Sequence, residues 1–192
     1  SGLVVVDLQA PGPPSPVRAL SPDGKEWNNG RPYSITLTPP ADISGIAGAF
    51  FKTGAPAVSN DEPGVQFLPG ASSFTATFPA LVNGTNLAYV WLKDGAGNAD
   101  PSNPSAFTLR FDDLPPGSTA SAPAFANSTP IAVQFASTDQ ESLSGVDKTH
   151  LWFRRDAGGN GVFSNWQLSS TVPAVGSAGA FLFDPMGFNP TA

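Results

Sequence analysis

The chain has a single histidine, His150, and any Ser-His-Asp arrangement would have to use it. No Gly-x-Ser-x-Gly segment offers a nucleophile elbow, and His150 sits in an apolar run ending at Arg155, where a strand places it at the surface or an edge. Zinc is excluded on similar grounds, since its sites draw three or four ligands, mostly His and Cys, and Cys is absent. The absence of Cys also removes disulfides and thiol nucleophiles. Carboxylates are the remaining chemical resource. Of 15 acids only three are Glu (Glu26, Glu62, Glu141), and the rest are Asp. Glycoside cleavage needs two carboxylates facing each other across a cleft. Here Asp42, Asp61, Asp94, Asp100, Asp112, Asp113 and Asp139 stand beside Gly, Pro, Ser or Asn, where Asp side chains cap turns. No enzymatic activity is expected.

Hard oxygen ligands gathered near a domain junction suit calcium. Asp94, Asn98, Asp100, Asp112 and Asp113 are the residues expected to converge for that purpose, although their spacing does not follow the helix-loop-helix calcium pattern. Flat aromatic rings suit stacking on sugars. Of the four tryptophans, Trp91 and Trp152 fall in strongly apolar runs and are expected in cores, whereas Trp27 and Trp166 lie beside Asn residues and are the candidates for stacking on surface glycans. Asn83-Gly84-Thr85 and Asn127-Ser128-Thr129 match the glycosylation acceptor pattern and read as turns.

The elements that must position these residues are strands. Gly (20) and Pro (21) are abundant in 192 residues and charged residues make up 12%, a composition opposed to helix bundles. At 40% hydrophobic, with 14 Phe, the chain has the material for a core and does not resemble a disordered one. The net charge of −6 and the scattered basic residues argue against nucleic acid as a partner. No apolar run approaches the roughly 20 residues of a membrane-spanning helix, and no membrane insertion is expected.

Short apolar or alternating runs recur about every ten residues between turn-forming residues. They predict strands at 33–38, 46–52, 65–68, 74–78, 87–93 and 106–111, then at 131–136, 149–155, 162–168 and 180–183. Residues 87–93 are apolar on both faces, so that strand should sit centrally or be covered on both sides. Asp112 to Gly117 contains Pro115-Pro116 and reads as a boundary. Beyond it the pattern repeats: Ser44-Gly45-Ile46 leading to Phe50-Phe51-Lys52 is echoed 100 residues later by Ser144-Gly145-Val146 leading to Leu151-Trp152-Phe153-Arg154. Val4-Val5-Val6-Asp7 is likewise echoed by Leu109-Arg110-Phe111-Asp112. The expected organisation is a last strand of a preceding repeat or leader strand at 1–7, one sandwich at 8–113 and a second at 114–192 lacking its final two strands.

Asp42-Ile43-Ser44-Gly45-Ile46 and Asp94-Gly95-Ala96-Gly97-Asn98 resemble the D-x-S-G-I and D-x-A-G-N signatures of bacterial immunoglobulin-like, fibronectin type III-like tandem repeats. The resemblance implies an all-β fold of tandem immunoglobulin-like antiparallel β-sandwiches, the second incomplete in this stretch. It implies an extracellular or cell-surface location and a structural role as stalk, adhesin, envelope or filament component. The implied partners are neighbouring immunoglobulin-like domains of the same or another chain. An accessory or carbohydrate-binding module of a secreted enzyme is the alternative, and a subunit assembled by strand complementation is a third reading.

Overall fold

The computed structural model describes residues 4–156, 158–173 and 178–185. Among the described residues there are thirteen strands and no helix: β1 (Val17–Leu20), β2 (Trp27–Asn28), β3 (Pro32–Leu37), β4 (Ile46–Thr53), β5 (Gln66–Pro69), β6 (Ser73–Thr77), β7 (Gly84–Asp94), β8 (Ser105–Phe111), β9 (Gly117–Ser121), β10 (Ile131–Thr138), β11 (Lys148–Phe153), β12 (Gln167–Pro173) and β13 (Ala178–Phe183). The chain divides into two compact units, Ser1–Leu114 and Pro115–Ala192.

In the first unit, three strands pair in the order β1-β3-β6 and five in the order β2-β8-β7-β4-β5. All pairs are antiparallel except β2 with β8. Alternation in the sequence decides which side chains face inward. Tyr33, Ile35 and Leu37 of β3 and Phe74 and Ala76 of β6 supply one side of the core, and Ala49, Phe51, Ala88, Val90, Leu92, Phe107, Leu109 and Phe111 the other. Phe51 meets Phe74 and Phe107 edge to face, at 5.4 and 6.4 Å.

β7 lies at the centre of its sheet, between β8 and β4, as its two apolar faces require. Its outward Trp91 is buried in a second, smaller cluster with Phe50 and Ala57. The Trp91 ring stacks on Phe50 at 5.4 Å, and its indole N–H donates to Asn60 Oδ1 at 2.8 Å. Ala57, Asn60 and Val65 of the loop 54–65 thus cover Trp91 on the outer face of β7, whereas Leu87 on that face is 45% exposed. Glu62 shapes this loop by accepting from Val58 N–H (2.8 Å) and pairing with Lys52 (2.5 Å).

In the second unit the pairing order is β13-β10-β9, with β11 paired to β12. Phe181 is buried, while Phe135 and Phe183 are half-buried and pack on Phe181 and Phe153 at 4.9 and 4.8 Å.

Several sequence expectations are corrected. The strand expected at 162–168 begins instead at Gln167. Residues before it form a turn in which Asp156 accepts from Asn160 and Gly161 N–H groups, leaving Val162 71% exposed. Trp152, expected in a core, is 51% exposed on β11. Strands β1, β2 and β9 were not expected: β2 is two residues long, and β9 (Gly-Ser-Thr-Ala-Ser) has no apolar alternation to signal it. Residues 4–7 form no strand among the described residues, and Val4, Val5 and Val6 are exposed.

Candidate functional site

The two quoted sequence motifs, fifty residues apart, interlock at one end of the first unit. Asp42 Oδ1 accepts from both the N–H (3.0 Å) and hydroxyl (3.2 Å) of Ser44. The Ser44 hydroxyl oxygen in turn accepts from Ala96 N–H at 3.2 Å, and Gly95 N–H donates to the Gly45 carbonyl at 2.9 Å. Gly45 has a φ of 74°, a backbone position that favours Gly. In the second motif Gly97, with φ of 101°, makes the turn. Gly95 is small for another reason: a Cβ there would lie 2.5 Å from the Ser44 carbonyl oxygen.

Asp94 closes that turn and is 1% exposed. Its Oδ1 accepts from Asn98 N–H and its Oδ2 from the Asn98 side-chain amide, both at 2.7 Å. The same Asn98 amide reaches the Asp7 carbonyl at 3.2 Å, tying the leading segment to the turn. This brings a third carboxylate into place. Carboxylate oxygens of Asp7, Asp42 and Asp94 lie within 4.8 Å of one another. Asp7 Oδ1 accepts from Gln9 N–H at 3.1 Å, whereas Asp7 Oδ2 is shielded from solvent and has no hydrogen-bond partner. The Gln9 N–H, with smaller contributions from Ser44, holds the Asp7 carboxyl below its ordinary value of 3.8.

Three like charges this close repel one another, and a shielded carboxylate oxygen without a donor is costly. A divalent cation relieves both conditions, and carboxylate oxygens spaced in this way are the hard ligands that calcium takes. Asp7, Asp42 and Asp94 would hold it.

This set differs from the one expected from the sequence. Asp94 and Asn98 do come together, but Asp100 accepts within its own turn, from Ser102 N–H (2.9 Å) and hydroxyl (2.6 Å). Asp112 and Asp113 are at the far end of β7, where Gly84 pairs with Phe111. Eleven residues of extended chain place the two ends of β7 about 33 Å apart. Asp113 there exchanges two 2.8 Å hydrogen bonds with Asn83, and Asp112 Oδ1 accepts from Leu114 N–H at 3.1 Å. The five residues therefore do not converge. Asp7 and Asp42 were not expected in this cluster; the available signal for Asp42 was the D-x-S-G motif itself, facing the D-x-A-G-N turn.

No family model and no curated protein matches this chain. Trp27 is half-buried on β2, in register with Arg110 of β8. Trp166 is 60% exposed in the second unit, where the Arg154 guanidinium lies over its ring at 5.2 Å and over Phe163 at 4.3 Å. His150 is exposed on β11. No helix among the described residues is long and apolar enough to cross a membrane.

Proposed function

We propose that the chain is a non-enzymatic structural segment of a bacterial extracellular or cell-surface protein, built from tandem immunoglobulin-like sandwiches and serving as stalk, adhesin, envelope or filament component. The observation that carries this reading is the recurrence of one pairing scheme. The order β1-β3-β6 returns as β9-β10-β13, and the β4-β5 pair returns as β11-β12, in units that follow each other directly at Leu114 and Pro115. Two compact units that repeat one pairing scheme suit a modular array rather than one catalytic body.

Calcium belongs to the same reading. At Asp7, Asp42 and Asp94 it would fasten the leading segment to the two motif loops, stiffening the point where the chain enters the first sandwich.

Antibodies against residues 8–113, applied to intact cells of the source organism, test the proposal. Labelling without permeabilisation is the expected result, and labelling only after permeabilisation overturns it.

A second reading, an accessory carbohydrate-binding module, is favoured by one observation: Trp152, Phe163 and Trp166 are each at least half exposed in the second unit. Sugar-dependent quenching lost in Trp166→Ala supports it, and no quenching across a broad glycan panel removes it.

A further inference from the structure

In the first unit the leading chain changes sheets between β1 and β2, and a cavity lies beside the crossing. β1 pairs with β3 in the three-stranded sheet, whereas β2 pairs with β8 in the five-stranded one. The crossing is a tight turn around the buried Ser21, whose N–H donates to the Lys25 carbonyl at 2.8 Å and whose Oγ accepts from Lys25 N–H at 2.9 Å. Next to it, β1 and β8 border a cavity of about 300 Å³.

Alternation along the two strands divides the lining into two kinds. Val17, Ala19 and Phe107 pack toward the core and give the cavity an apolar floor. Arg18 on β1 and Thr108 and Arg110 on β8 take the alternate positions and are exposed. Trp27 lies in register with Arg110, which brings the preceding residue, Glu26, to the Arg110 guanidinium, and the two pair. Arg18 forms no ion pair among the described residues. Two guanidinium groups against one carboxylate give this cavity an excess of positive charge, in a chain whose net charge is −6.

We propose that this cavity binds a sugar ring that bears a carboxylate, a uronic acid. Each part of the lining meets one part of such a ring. The Arg18 fork takes the carboxylate through two parallel hydrogen bonds, and Arg110, held in place by Glu26, adds the second positive charge. Glu26 oxygens accept from ring hydroxyls, and the Thr108 hydroxyl donates or accepts. The floor of Val17, Ala19 and Phe107 receives the C–H face of the ring. The volume lies at the lower end of small-molecule sites and suits one ring rather than several. This site uses neither Trp152 nor Trp166, so it goes beyond both readings above.

The full chain, isotope-labelled and titrated with sodium glucuronate at constant ionic strength, tests the proposal by NMR. We expect saturable shifts confined to residues 17–20, 26 and 107–110, with a Kd of about 1 mM. Sodium acetate and glucose, each carrying half of the chemistry, are expected to bind at least about tenfold more weakly. Arg18→Gln, at an exposed position, should keep the fold and weaken glucuronate binding at least about tenfold. Lys25→Gln removes a cation adjacent in sequence to Glu26 but outside the cavity, and should leave binding unchanged. Acetate binding as tightly as glucuronate reduces the cavity to a simple anion site and overturns the assignment. No saturable shift at these residues, or an equal loss in Arg18→Gln and Lys25→Gln, overturns it as well. None of these outcomes depends on cell-surface labelling or on Trp166, so failure here is distinguishable from failure of either reading above.

Discussion

The Tyr33 hydroxyl donates a 2.8 Å hydrogen bond to the backbone carbonyl of Arg110, joining β3 of the three-stranded sheet to β8 of the five-stranded sheet. The ring is fully buried, 6.2 Å from Phe78. One side chain thus contributes both to the core and to the fixed relation of the two sheets.

Burial pushes the Tyr33 hydroxyl up to about 12 from an ordinary value of 10.0. The folded state keeps its proton where the unfolded chain releases it, so this contribution is fully present below pH 10 and is lost as pH rises toward 12. Tyr33→Phe should cost about 1 kcal/mol at neutral pH through the lost hydrogen bond. It should also flatten the alkaline fall in stability, which urea unfolding across pH 9 to 12 measures. An equally steep alkaline fall in the variant would assign the effect to other groups.

Trp91 closes the outer face of β7, and its loss should cost more than that of an exposed aromatic. Trp91→Ala is expected to destabilise the first unit by about 3 to 5 kcal/mol, and Asn60→Ala by about 1 kcal/mol. The two are coupled, since Asn60 accepts from the indole, so the double variant should lose less than the sum. Strict additivity in denaturant melts would mean that the hydrogen bond contributes nothing.

Calcium should raise the melting temperature of the chain and a chelator should lower it, as followed by calorimetry. Asp7→Asn is expected to abolish the response, whereas Asp113→Asn, at the other end of β7, is expected to keep it. In chelator the depressed Asp7 carboxyl contributes stability that is present above pH 3.8 and lost as pH falls through its lower folded value. An unchanged melting temperature with calcium and chelator removes the ion from the account.

The two glycines of Asp94-Gly95-Ala96-Gly97-Asn98 should fail in different ways when changed to Ala. At Gly97 there is open space but φ is 101°, so the cost is backbone strain of about 1 to 2 kcal/mol. At Gly95 the new Cβ meets the Ser44 carbonyl oxygen at 2.5 Å, and the D-x-S-G loop must move away. Gly95→Ala should therefore weaken any calcium response as well as stability, while Gly97→Ala should affect stability alone. A calcium response equally preserved in both would contradict this division.

Much of the first unit was legible in the residues themselves. Alternation along Tyr33-Ser34-Ile35-Thr36-Leu37 and Phe74-Thr75-Ala76-Thr77 specifies which face is buried, because strand side chains alternate regardless of partner. The two apolar faces of 87–93 likewise pointed to a central strand, the place β7 takes between β8 and β4. Local turn chemistry marked Asp94 to Asn98 as a sharp turn, since Gly and Asn are the residues that reach positive φ. Other features depended on neighbours that no local pattern announces. β9 pairs through its backbone with no apolar signal of its own, and Trp152 is 51% exposed on β11 although its run in the sequence is strongly apolar. The carboxylates show the limit most clearly. The boundary at Asp112 suggested Asp94 with Asp112 and Asp113, yet an extended strand carries its two ends apart; β4–β7 pairing brings Asp42 to Asp94 from fifty residues away, and the Asn98 amide holds Asp7 beside them. Residue type determined which groups could bind a cation; strand pairing and the Asn98–Asp7 hydrogen bond, both tertiary, decided which of them meet.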